Sequence, residues 1–413
     1  MIKRFFIIVY LLMKAMIAYL LLLFTRKRLQ SCLVHADFGK SGGTRTYFFS
    51  LIEYLSLKKL NITVLLTKEQ CDEEVVALQS NFLFVIQEIN FELQPTIFKG
   101  TVFYKRNQKN FIYHLKELFF FWKMLRLSKC SLFIITQSTP EVLLFLFLSP
   151  VKLMYILHTV ATEKLDRLKQ KILNASLCNH KKIITVSEYS KNKLLQNWTD
   201  GGNEEHVKVV HNFYDPPTQN TLQRNQMEKM VFTIGSLGHH KNPLFWIDVA
   251  KIVTNRYAGQ ISFIWAGEGE LLEQCKEECS GFDNIKFIGV TKNVEQLYVD
   301  CDVYFQPSIL ESHGIAVVGA MYFEKACIVS DRQGLPESVV NNVTGLIVPI
   351  EDPLDSANAI LSLLNDAEKV NDFGRAAKKK VEQQFTKTRW NKTMDLIFND
   401  MCRKQEKHAN VAA

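Results

Sequence analysis

Residues Val303–Pro349 read VYFQPSILESHGIAVVGAMYFEKACIVSDRQGLPESVVNNVTGLIVP. The apolar run up to Gln306 has the pattern of a short buried strand, and Pro307 closes it. Glu311 and Gly314 then open a second apolar run that reads as a helix. Strand, turn and helix in this order crowd helix-start N–H groups and a carboxylate onto one crevice edge, and such amides attract anions. That combination suits a nucleotide carrying a sugar.

The same rhythm extends in both directions. Upstream, MVFTIGS (230–236), ISFIWAG (261–267) and IKFIG (285–289) read as strands, with helices over Pro243–Tyr257 and Leu271–Cys279. Downstream, Ala326–Ser330 and Leu346–Val348 continue the strand series, and one long helical tail is expected from Asp355 onward. The first half begins with a strand at Cys32–His35. Gly42 and Gly43 follow it, then a helix with apolar positions Phe48, Phe49, Ile52 and Leu55, then a strand at Asn61–Thr67. Strand, glycine loop, helix and strand form one right-handed parallel unit. Further strands are predicted at Ser131–Thr136, Leu153–His158, Lys182–Val186 and Val207–Val210, with helices over Glu141–Leu148 and after Ser187.

Periodicity stops between Tyr214 and about Glu228, where Pro, Gln, Asn and Thr dominate. The expected organisation is therefore a hydrophobic segment at 1–28, a Rossmann-like domain at 29–215, a linker at 216–228 and a second Rossmann-like domain at 229–413. The terminal helix is a candidate to pack back on the first domain. One large doubly wound sheet is disfavoured by the length of 413 residues and by the restart after the linker.

Several residues are placed to carry chemistry. His158 ends an apolar strand, so its imidazole should emerge at the carboxyl edge of the sheet, where parallel sheets bind ligands. After Gly235, SLGHHKNP sets Lys241 beside a helix start, where an ammonium can meet a diphosphate. Gly267 and Gly269 in WAGEGE would admit a ligand close to backbone. The string GKS at Gly39–Ser41 is not a Walker motif, because Val34 stands where that pattern needs glycine. The Gly42–Gly43 loop remains as a place for anions or acceptor hydroxyls, or as a structural turn.

Composition narrows the setting. Nine cysteines lack zinc or CxxC spacing, which suggests a reduced compartment, and the Asn-x-Ser/Thr sequons are read as chance. The net charge of +8 concentrates between Lys99 and Lys129, where Lys105, Arg106, Lys109, Lys116, Lys123 and Arg126 flank the run Phe119 to Trp122. Basic and aromatic groups together fit an anionic membrane interface better than nucleic acid, which is not expected as a partner. A solvated basic helix, or burial of the rings in the first-domain core, would leave the same trace. Phe5 to Phe24 is apolar except near Lys14 and ends at Arg26, Lys27 and Arg28. It reads as a single anchor or an in-plane helix that holds a cytoplasmic body at a membrane.

With these residues in view, the chain resembles the retaining glycosyltransferases of family 4, which have the two-domain GT-B fold. The resemblance runs from about Leu29 to the end. It rests on Gly42–Gly43, His158–Thr159, Val186–Ser187, Asn212 with Asp215, Gly235 to Lys241, Gly267–Glu268–Gly269, and above all on PSILESHGIAVVGAM followed by SDRQGLPE. It implies that Gly42 and Gly43 lie near the transferred sugar and diphosphate, that His158 lines the donor sugar, and that Lys241 holds phosphate. It implies further that Glu311 binds sugar hydroxyls and that the backbone at Gly314 and Ile315 cradles the distal phosphate. No cofactor and no metal are expected, since cationic and dipolar stabilisation would serve in place of a divalent ion.

Two positions depart from the family pattern. Its second motif glutamate falls on Gly319, and a frequent phosphate-binding arginine falls on Ser236. His239, His240 and Arg332 are candidate replacements. The expected activity is transfer from a nucleoside-diphosphate sugar to a glycan or lipid-linked acceptor in polysaccharide, lipopolysaccharide or other glycolipid assembly. A sugar-nucleotide-binding protein with weak or no transferase activity, and a sugar-nucleotide epimerase, are the alternatives.

Overall fold

The computed structural model describes residues 31–35, 42–88, 131–136, 151–215, 222–225 and 228–402. The predicted 1–28 anchor, the basic aromatic stretch and the 141–148 helix lie outside them.

The first half forms β1 (Ser31–His35), α1 (Gly43–Ser56), β2 (Asn61–Leu66), α2 (Glu73–Asn81), β3 (Phe84–Glu88), β4 (Leu132–Thr136), β5 (Lys152–Leu157), α3 (Arg167–Ser176), β6 (Lys181–Thr185), α4 (Glu188–Trp198) and β7 (Val207–Val209). Its seven strands run parallel in the order β3-β2-β1-β4-β5-β6-β7. Every residue of β4, LFIIT, is buried, as expected where helices cover both faces of a sheet.

The second half forms β8 (Lys229–Ile234), α5 (Pro243–Arg256), β9 (Ile261–Ala266), α6 (Leu272–Glu278), β10 (Ile285–Phe287), α7 (Val294–Asp300), β11 (Val303–Gln306), α8 (Ile315–Tyr322), β12 (Ala326–Ser330), α9 (Leu335–Ser338), β13 (Gly345–Val348), α10 (Pro353–Leu364), α11 (Ala367–Gln384) and α12 (Lys387–Cys402). Six parallel strands lie in the order β10-β9-β8-β11-β12-β13. Strand order reverses between β1 and β4 and again between β8 and β11. Such reversal points leave a crevice at the carboxyl ends of the strands.

The helical tail is three helices rather than one. Asp366 accepts from the Lys369 N–H at 2.9 Å, and Thr386 accepts from the Arg389 N–H at 3.2 Å, so each restart has its own side-chain cap. The last helix, α12, sends Trp390, Met394, Ile397, Phe398 and Met401 into the core of the first sheet. Polar ties hold it there. The Tyr54 hydroxyl donates to Asp395 at 2.7 Å, Lys182 pairs with Asp400 at 2.7 Å, and the Lys152 ammonium donates to the Met401 carbonyl at 2.6 Å. Lys387 pairs with Glu53 at 2.8 Å and with Asp215 at 2.7 Å.

Trp390 is 3% exposed and meets the rings of Tyr47, Tyr54 and Phe213. Trp390→Ala is expected to cost about 3–5 kcal/mol in urea unfolding, through lost burial and the cavity left behind.

Candidate functional site

Two loops leave the second sheet at its reversal point. One runs from Gly235, after β8, to Lys241; the other runs from Pro307, after β11, to Gly314. The N–H groups of Ile309 and Leu310 both donate to the His240 carbonyl, at 2.9 and 3.2 Å. This backbone clasp sets Lys241 and Glu311 side by side, and the Lys241 ammonium pairs with the Glu311 carboxylate. Both side chains are largely buried, at 17% and 18% exposed. The Glu311 main chain is fixed on both sides: its N–H donates to the Gln333 amide oxygen at 3.0 Å, and its carbonyl accepts from the Gly334 N–H at 2.9 Å. The Lys241 stem passes over Gly235, where an added Cβ would stand 3.5 Å from the lysine Cε.

The first sheet contributes the facing side. Gly42 precedes α1, and a Cβ on Gly43 would stand 2.9 Å from Ile315 Cδ1 at the start of α8. Gly43 therefore abuts the N-terminus that follows Glu311. Gly314 enters that helix at φ 88°, a left-handed conformation in which glycine avoids the Cβ penalty. His158 follows β5, and its ring packs edge-on against Tyr47, one turn along α1 from Gly43, with centroids 4.5 Å apart. Burial pushes the His158 imidazole down to about 4, so it is neutral at pH 7. Among the described residues, no hydrogen bond or ion pair joins it to Lys241 or Glu311.

Gly267 and Gly269 each lie close to backbone of the loop after β8. A Cβ on Gly267 would fall 2.0 Å from the Gly235 carbonyl oxygen, and one on Gly269 would fall 2.5 Å from that of Leu237. These glycines let the loop after β9 interlock with the loop that carries Lys241. Gly319 is also spoken for. A Cβ there would meet the Tyr298 hydroxyl at 3.0 Å and the Tyr214 ring at 3.1 Å, so aromatic rings occupy the space beside the position where the family resemblance expects a carboxylate.

A second carboxylate, given no role in the sequence reading, bridges the two sheets' units. Glu337 accepts the N–H groups of Glu188, at 2.8 Å, and of Tyr189, the first residues of α4, whose start Ser187 also caps. The His211 Nε2 lies 3.5 Å from the same carboxylate. Burial raises the Glu337 pKa, but His211 and the two backbone donors outweigh it and hold the group below the ordinary glutamate range. His313, between Glu311 and Gly314, packs against His211 and Phe385. Burial, with His211 and Lys380 nearby, holds its pKa well below the usual imidazole value. Among the described residues, no group of three or more His, Cys, Asp or Glu side chains is placed to hold a metal ion.

Residues 216–380 match the family model "Glycosyl transferases group 1". An α-1,4-N-acetyl-D-galactosaminyltransferase of Campylobacter jejuni, named for an undecaprenol-diphosphate-linked glycan, is 26% identical over 179 residues, which are 42% of this chain and 50% of its own length. An Escherichia coli α-1,3-galactosyltransferase, named for GlcNAc-diphosphoundecaprenol, is 29% identical over 151 residues, 35% of this chain and 38% of its own length. The chain thus spans half or less of these two curated relatives. Among solved structures, a glycosyltransferase from Rickettsia africae superposes with a TM-score of 0.72 at 15% identity, covering 91% of this chain and 100% of its own. Anabaena HepE in complex with UDP and glucose superposes at 0.67 with 17% identity, covering 90% and 99%. At these identities the structural likeness is one of fold. The chain has a GT-B-like two-domain α/β architecture and is related in sequence to nucleotide-sugar transferases.

Two outcomes follow from the packing. Gly319→Glu forces a carboxylate among Tyr214 and Tyr298 and should destabilise the protein by about 1–3 kcal/mol in denaturant titration. Glu337→Gln should lower Tm at neutral pH. Because the folded-state pKa of Glu337 is lowered, its contribution is complete above the ordinary glutamate range and is lost as pH falls through the lowered value. The wild-type advantage in Tm should therefore vanish on acidification.

Proposed function

We propose that the chain is a glycosyltransferase that moves a sugar from a nucleoside-diphosphate sugar to a glycan or lipid-linked acceptor, with retention of anomeric configuration. The observation that carries this reading is the Lys241–Glu311 pair at the reversal point of the second sheet, with the Gly42–Gly43 turn of the first sheet abutting Ile315. A cation, a carboxylate and helix-start amides then border one crevice. The relatives named for sugar transfer onto undecaprenol diphosphate carriers support the lipid-linked form of the acceptor.

In this reading the bond from the anomeric carbon to the diphosphate oxygen breaks, and its electron pair stays on the diphosphate. An acceptor hydroxyl oxygen bonds to the anomeric carbon, and the hydroxyl proton passes to the departing diphosphate. Lys241 and the N–H groups at Gly314 and Ile315 stabilise that growing charge because they are fixed before reaction begins. Glu311, released from its pairing as the phosphate engages Lys241, accepts hydrogen bonds from sugar hydroxyls. His158 is neutral and lines the sugar without competing for the diphosphate. The Gly42–Gly43 turn lets the first lobe approach the donor and exclude water.

A membrane-associated body facing the cytoplasm belongs to the same proposal. It rests on the composition of residues 5–24 and 99–129, which lie outside the described residues. No helix among the described residues is long and apolar enough to cross a membrane.

The test is a donor screen with purified protein and membrane lipid extract, following nucleotide release and labelled-sugar incorporation. Incorporation from one donor supports the reading. Nucleotide release that needs no acceptor indicates hydrolysis, and nucleotide binding with no turnover favours a sugar-nucleotide-binding protein. Lys241→Ala should lower kcat/KM for the donor roughly tenfold to a hundredfold, the scale of one charged hydrogen bond. Glu311→Ala should lower transfer on a similar scale while changing the Kd of the sugar-free nucleotide much less.

A further inference from the structure

The turn before Lys241 holds a second titratable side chain, one of three candidate replacements for the missing arginine, which the proposed transfer step leaves unused. His240 fixes the site through its main-chain carbonyl, while its imidazole points back along the loop. The ring nitrogen Nε2 lies 3.4 Å from the Ser236 hydroxyl, and an added Cβ on Gly238 would stand 3.0 Å from Nδ1, so the ring is seated against the loop backbone. The charged groups around it are Lys241 and His239 on its own turn, Glu311 from the loop after β11 and Glu270 from the loop after β9. The other nearby candidates are spent or exposed. The Arg332 guanidinium is held by Asp331, at 3.1 Å, and by Glu351, and His239 projects to solvent.

A diphosphate entering this loop carries more than one negative charge, which the single ammonium of Lys241 does not offset even once Glu311 has released it. Resting on the donor-site reading above, we propose that His240 is the second cationic group of that site. It takes up a proton when the diphosphate of a sugar nucleotide binds, and then donates from Nε2, beside the Ser236 hydroxyl, to a phosphate oxygen.

The electrostatics of the free protein agree with this role. Burial first, and Lys241 next, hold the His240 pKa below its ordinary value, against the opposing pull of Glu311 and Glu270, so the free site disfavours the charged ring. An adjacent diphosphate favours the charged form and raises that pKa. Affinity should therefore rise as pH falls through the bound-state pKa and level off below that of the free protein. A neutral ring in the empty site also spares Lys241 a like-charged neighbour.

The experiment is calorimetric titration of the full chain with UDP, GDP and ADP at pH 6 and pH 8.5. Two buffers of different ionisation enthalpy at each pH count the protons taken up. For the nucleotide that binds, wild type should gain a substantial fraction of one proton more than His240→Gln, and the variant should bind about tenfold more weakly at pH 6 but nearly equally at pH 8.5. The phosphate titration of the nucleotide is common to both proteins and cancels in the comparison. His240→Arg, charged at both pH values, should bind about as tightly at pH 8.5 as at pH 6, and more tightly than wild type at pH 8.5, without the extra proton uptake. Both substitutions keep the main-chain carbonyl that holds Ile309 and Leu310, and unchanged Tm values would verify that the loop is intact. Equal proton uptake and equal pH dependence in wild type and His240→Gln would overturn the assignment of His240 alone. Failure of all three nucleotides to bind at either pH would overturn the donor-site reading and this assignment with it.

Discussion

Two N–H groups on one carbonyl hold the candidate site together: those of Ile309 and Leu310 on the oxygen of His240. Through that clasp the loops after β8 and β11 are fixed backbone to backbone and not by side chains alone. With it, Lys241 and Glu311 meet as a pair that is more than four-fifths buried. An ion pair in such a place contributes little net stability, because removing both charges from water offsets much of their attraction. In the proposed function, the pair at the sheet reversal point receives a ligand that carries both phosphate and hydroxyl groups.

The two halves of the chain are tied at places of different chemical character. At the cleft, Gly43 abuts Ile315, and Glu337 from the second half caps the start of α4 in the first. Far along the chain, α12 leaves the second half and buries an aromatic and aliphatic face in the core of the first sheet. That tie is broad and apolar at its centre, with ion pairs such as Lys182–Asp400 at its edge. The contact at Glu337 is small and polar, made of two backbone N–H donors and His211 on one carboxylate.

Much of this was legible in the residues because parallel strands buried on both faces leave near-continuous apolar runs. The runs ending at His35, Ile234 and Gln306, each followed by a glycine or proline loop, were recognisable for that reason. Elements with weak burial were not. Helix α2 buries only Val75, and α3 buries Gln170 and Ser176 beside Leu173, so a run of buried apolar residues marks neither. The tail read as one helix because Asp366 and Thr386 interrupt it only by capping, which composition hides. At the site, Lys241 and Glu311 stood out by their spacing from the strand ends. The fit of Gly267 against Gly235, the rings packed beside Gly319 and the reach of Glu337 to α4 all depend on segments distant in sequence. No local pattern encodes them.

The central claim is that one nucleoside-diphosphate sugar lies between Lys241, Glu311 and the turn at Gly314. A crystal structure of the full chain soaked with its accepted donor tests this most directly. The account predicts the diphosphate on Lys241 and the Gly314–Ile315 amides, with Glu311 turned to the sugar hydroxyls and the Gly42–Gly43 turn against the donor. A donor bound elsewhere, with the Lys241–Glu311 pair undisturbed, would contradict it.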